Sequence, residues 1–104
     1  MANVVVYKNR TNVLAVNLGM DVSGDTFASE IREKASTTSP RIATWAVTFA
    51  TDGTDGRLVL TLDDSDLLDI SAKQGFMDVK RISGGEPYEV FAPLKVSFKD
   101  TVTV

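Results

Sequence analysis

A chain of 104 residues, 43% hydrophobic and 24% charged, is of a size for a single domain spanning residues 1–104 with its own core. It contains no Cys and no His, which excludes disulfides, thiolate or imidazole metal sites, and the Ser-His-Asp and Cys-His arrangements of nucleophilic catalysis. The net charge of −3 weighs against nucleic acid as a partner, because that affinity is carried by clustered Lys and Arg. No apolar run approaches the ~18 residues of a membrane span.

Taken in order, Asn3–Tyr7 is a short strand built on Val4-Val5-Val6-Tyr7 and expected at a sheet edge. The apolar residues before Tyr7 lack the charged lead and long core of a secretory leader, so a soluble chain acting where it is made, or carried within an assembly, is expected. Thr11–Leu18 places Leu14, Val16 and Leu18 on one face of a half-buried strand, and Gly19 and Asp21–Asp25 end it. In Thr26–Lys34, Phe27, Ser29 and Ile31 alternate with Ala28, Glu30 and Arg32; a helix is the alternative, but Phe27 and Ile31 make a thin helical stripe and a strand is expected. Ala35–Pro40 follows as a loop of small residues.

The strongest pattern runs from Ala43 to Ile70. Trp45, Val47 and Phe49 fall on one side of a strand, Asp52–Gly56 supplies a turn, and Leu58, Leu60 and Leu62 fall on one side of the returning strand. Trp45 is expected in the core. Asp63-Asp64-Ser65 then offers capping oxygens for one or two helical turns, with Leu67, Leu68 and Ile70 turned inward. Gly75–Ile82 returns to strand, Ser83–Glu86 reads as a hairpin turn, and Tyr88–Phe98 as a long strand interrupted at Pro93, with Leu94, Val96 and Phe98 inward. Thr101–Val104 is an alternating tail.

About seven antiparallel strands with turns at regular spacing and one short helical turn predict an all-β, immunoglobulin-like sandwich, with a small barrel as the alternative that periodicity does not separate. The acids at Asp52, Asp55, Asp63, Asp64, Asp66 and Asp69 are the hard ligands Ca²⁺ prefers, but they lack the D-x-D-x-D-G progression and read as turn and cap residues. Glu86 with Glu89, or Asp64 with Asp66, are the pairs that could in principle share acid–base work; they too sit on turns and caps, so no enzyme and no cofactor are expected. Val4, Val5, Val6 and Thr101, Val102, Thr103, Val104 are uncharged and β-prone. Such ends either close their own sheets or pair with another chain. Thr37 and Thr38, in the small-residue loop, complete the candidate interface.

The order of features resembles the immunoglobulin-like domains of tailed-bacteriophage structural proteins, similar to the N-terminal domain of upper baseplate proteins. The resemblance rests on Gly24-Asp25-Thr26-Phe27, Glu30-Ile31-Arg32-Glu33-Lys34, the Trp45 strand, Asp55-Gly56-Arg57-Leu58-Val59-Leu60-Thr61-Leu62 with its helical cap, Gly75-Phe76-Met77-Asp78-Val79, and Leu94-Lys95-Val96-Ser97-Phe98. It implies a virion component made in the host cytoplasm, on the tail, the baseplate or the capsid surface as a decoration protein. Its implied partners are other virion proteins and itself in a symmetric assembly. The sequence stops at Val104 with no coiled coil or receptor-binding module, so a free-standing version of the domain is expected. A glycan-binding module that attaches virions to the host surface is the alternative, for which Trp45, Phe49, Tyr7, Tyr88 and Phe91 supply the rings.

Overall fold

A computed structural model describes residues 4–67 and 70–102. The chain is all-β. Eight strands are formed among these residues: β1 Val4–Tyr7, β2 Asn12–Asn17, β3 Thr26–Arg32, β4 Arg41–Phe49, β5 Arg57–Leu62, β6 Gln74–Ser83, β7 Glu86–Glu89 and β8 Leu94–Lys99. The expected helical segment is a 3-10 turn over Asp64–Leu67. The Asp66 N–H donates to the Asp63 carbonyl at 3.0 Å, and Leu67 is buried beneath it. Leu68 lies outside the described residues.

The hydrogen-bonded path runs β1-β8-β6-β3-β4-β5-β2, with β7 also on β6, and it nearly closes on itself like a barrel. β4 makes this curvature. Its first half pairs with β3 (Ser29 opposite Trp45) and its second half with β5 (Ala46 opposite Thr61). The register slips where Ile31 faces Ala43 and Arg32 faces Arg41, leaving Ile42 as the extra residue of a bulge. A bulge adds local twist, and the strand changes partner from β3 to β5 after Trp45.

The alternation read from the sequence sets the core. Ala43 and Trp45 of β4, Leu58, Leu60 and Leu62 of β5, Ile31 of β3, Met77 and Val79 of β6, and Val96 and Phe98 of β8 are all buried. Leu14, Val16 and Leu18 are half-buried against them, as are Val47 and Phe49. Phe49 meets Phe27 edge to face, with centroids 6.2 Å apart at 85°. Buried Ser29 is satisfied, its Oγ donating to the Asp78 carbonyl at 2.6 Å.

Two expectations are corrected. Tyr88–Phe98 is two strands, because β6 is long enough to carry two partners on one side: β7 along Lys80–Ser83 and β8 along Gln74–Met77, with Val90–Pro93 crossing between them. The pairing is not wholly antiparallel, since β1 lies parallel to β8 with Val4 opposite Val96. In β6 the inward residues are Gly75, Met77 and Val79, which turns Phe76 to the other face.

Candidate functional site

β1 and β2 stand at the two ends of the strand path, so each presents one edge that pairs with no strand among those described. The turn from Lys8 to Thr11 joins them, and Asn12 holds its apex. The Tyr7 N–H donates to Asn12 Oδ1 at 2.9 Å, while Asn12 Nδ2 donates to the carbonyls of Tyr7 at 2.9 Å and Arg10 at 3.0 Å. One side-chain amide thus does for Tyr7 what a neighbouring strand would. The two strands border a cleft of about 390 Å³. Its lips are Val4, Val5, Val13 and Ala15; Trp45, Phe91 and Leu94 lie beneath. Val5 and Val13 are 43% and 66% exposed. Trp45 is only 3% exposed, and its buried Nε1 finds no acceptor among the described residues.

A second depression, about 470 Å³, lies on the outer face of β3 and β6 beside β7. Glu30, Arg32, Phe76, Asp78 and Glu89 line it, and Lys34–Thr37 border it. Glu30 is already occupied: one of its oxygens accepts from both Arg32 and Arg41 at 3.2 Å. Asp78 and Glu89 share a hydrogen bond. Partial desolvation, then the hydrogen bond and charge of Asp78, push the Glu89 carboxyl up to about 7. A raised carboxyl pKa means that the folded chain holds a proton the unfolded chain has released, so this pair should make stability fall as pH rises from about 4.5 towards about 7, and stay level above that. Urea midpoints at pH 5 and pH 8 should differ less for Glu89→Gln than for the wild type; equal differences would remove Glu89 from the account. Asp21, Asp25 and Asp52 do not interfere, being held below the ordinary carboxylate range by Ser23, by Ser83 and Arg81, and by Thr54. Their contribution is present at both pH values and is lost only as pH falls through those lowered values.

The residues expected at an interface divide among several places. Val4 and Val5 border the cleft, but the Val6 side chain is fully buried and is withdrawn from the surface set, because β1 alternates and its third residue faces the core. Thr37 and Thr38 are exposed in the β3–β4 connection, which Ser39 ties down by accepting from the Lys34 N–H at 2.9 Å. Thr101 is half-buried and donates to the Lys8 carbonyl at 3.1 Å, while Val102 is 99% exposed and neither belongs to a strand. Thr103 and Val104 lie outside the described residues. The turn acids bind locally: Asp52 accepts from the Thr54 N–H and hydroxyl, and Asp55 from the Arg57 N–H.

Sequence reasoning did not pair Asp78 with Glu89. The signal was present, since a two-residue turn at Gly84-Gly85 places Lys80 opposite Glu89 and leaves Asp78 one diagonal step away. No helix among the described residues is long and apolar enough to cross a membrane. Compared with protein-family models and with curated proteins, the chain gives no match.

Proposed function

We propose that the chain is a non-catalytic structural module of a bacteriophage virion, of the tail, baseplate or capsid surface, that joins copies of itself and other virion proteins through its free strand edges. The observation that carries the assembly reading is the pair of edges that pair with no strand among those described, neither of them blunted by charge or proline. Edge strands are commonly blunted by charge, proline or bulges, yet Val4-Val5-Val6-Tyr7 and Asn12-Val13-Leu14-Ala15-Val16-Asn17 contain none of the first two and pair in unbroken register with β8 and β5.

The immunoglobulin-like reading belongs to this proposal. In that fold B, E and D form one layer and C, F and G the other. Here β2-β5-β4 and β3-β6-β8 run in the same order, with β4 bridging the layers. The virion setting rests on the sequence resemblance. The glycan-binding alternative asks for exposed rings side by side. Of the rings offered, Trp45 is buried and Phe49 and Phe91 are half-buried, and the Arg81 guanidinium lies over the Tyr88 ring at 5.9 Å, so the edges are the better-supported contact.

Light scattering of the purified chain and mass spectrometry of particles should find an oligomer or a particle-bound protein. Replacing Val5 and Val13 together by Lys should give a monomer excluded from particles with an unchanged far-UV spectrum, because exposed substitutions cost only about 0.5 kcal/mol of stability. A wild type that is monomeric and never particle-bound, or a double variant that still assembles, would overturn the reading.

A further inference from the structure

The floor of the β1–β2 cleft goes further than its lips. Trp45 is more than nine-tenths buried and its indole N–H has no acceptor among the described residues, whereas buried donors in folded chains are almost always paired. Around it every lining residue is uncharged, in a chain where 24% of residues carry charge. A charged occupant would lose its hydration there and meet no counter-charge. The lips supply main-chain groups instead, on both sides. The senses of the strands follow from the pairing: β1 runs with β8, and five antiparallel steps from β8 through β6, β3, β4 and β5 bring β2 round in the opposite sense.

Resting on the assembly reading, we propose that this cleft is the acceptor for one extended, uncharged β-strand from another chain, which bonds through its main chain to the free edges of β1 and β2 and offers the oxygen of an inward side chain, such as a Thr hydroxyl, to Trp45 Nε1. The strand lies parallel to one lip and antiparallel to the other. Its alternate side chains fall toward Phe91 and Leu94, and the intervening ones stand outward beside Val5 and Val13. Asn12, holding Tyr7 at the apex, marks where the inserted strand stops. This is the strand-addition mode of recognition, in which main-chain bonds give affinity and pockets for alternate side chains give selectivity.

The chain has a single Trp, so one indole cross-peak in a ¹⁵N spectrum reports on the floor without ambiguity. The probe is a capped peptide of alternating Thr and Val with a Lys at each end, added to the full-length Val5→Lys, Val13→Lys monomer and to the wild type. The wild-type indole proton should shift downfield saturably, and a peptide with alternate amides N-methylated should bind at least tenfold more weakly. Trp45→Phe, which removes the donor, should weaken binding about two- to tenfold. Absence of a shift at millimolar peptide or equal binding of the N-methylated peptide overturns the proposal; the second outcome would identify a cleft that reads side chains alone. If the protein oligomerises while its indole signal matches that of the monomeric double variant, assembly through edges stands and the strand-acceptor cleft falls.

Discussion

Replacing Leu60 by Ala should destabilise the domain by about 3 kcal/mol, within the range of about 2–5 kcal/mol found for buried Leu truncations. Leu60 has no exposed surface and lies mid-strand in β5, paired to Leu14 of β2 on one side and Val47 of β4 on the other. It therefore loses contacts in both directions, and the hydrogen-bonded ladders on either side resist collapse into the space left behind. For a domain of this size a loss of about 3 kcal/mol lowers the melting temperature on the order of 15 °C. Val13→Ala, on the outward face of β2, is the matched control and should change stability by no more than about 0.5 kcal/mol. Thermal unfolding by circular dichroism would show it; a Leu60→Ala loss below about 1 kcal/mol would mean that this face of the sheet is not the core.

Gly56→Ala should cost about 3 kcal/mol or more, although it adds one methyl group to a turn. Gly56 has φ +75° and stands where the β4–β5 turn presses on the loop after β2: an added Cβ would lie 2.4 Å from the Met20 carbonyl oxygen and 2.8 Å from the Met20 nitrogen. Those are backbone atoms and cannot swing aside. The Gly56 carbonyl also accepts the Leu18 N–H at 2.8 Å, so the two segments cannot separate without losing that bond. Left-handed backbone alone costs a non-glycine residue about 1–2 kcal/mol, and forced overpacking adds about 1–3 kcal/mol. Gly84→Ala isolates the first part, since Gly84 has φ +60° with nothing within 4 Å of its added Cβ. Urea unfolding of the two variants should separate them by at least about 1 kcal/mol. Equal losses would show that the Met20 backbone yields.

The hairpin from Trp45 to Leu62 was legible because both arms carry their burial in a period of two, and a one-residue slip would turn every Leu outward. Strand rather than helix for Phe27–Ile31 was legible for the same reason. What lay out of reach was pairing between distant segments. Nothing local in Val4–Tyr7 says that it joins β8 in parallel, and nothing in β4 says that Ala46 changes partners. Pro93 did signal an interruption, but the consequence, a change from one half of β6 to the other, depends on the length of β6. Val6 was placed on the surface because a run of three valines has no visible phase until a neighbouring strand fixes it. In the candidate site, Val5 was readable as an edge residue. The unpartnered indole of Trp45 was not, because an acceptor is a matter of what the fold brings near.

The parallel pairing of β1 with β8 has a mechanical consequence. Tension applied through the two flanking segments would pull β1 from its Val4 end and β8 from its Lys99 end, and these lie at opposite ends of the ladder. The load therefore acts along the strands, and the ladder bonds between them share it together instead of opening one at a time. Forced unfolding is governed by the barrier and not by equilibrium stability, so a domain of ordinary stability with this arrangement resists extension along that axis.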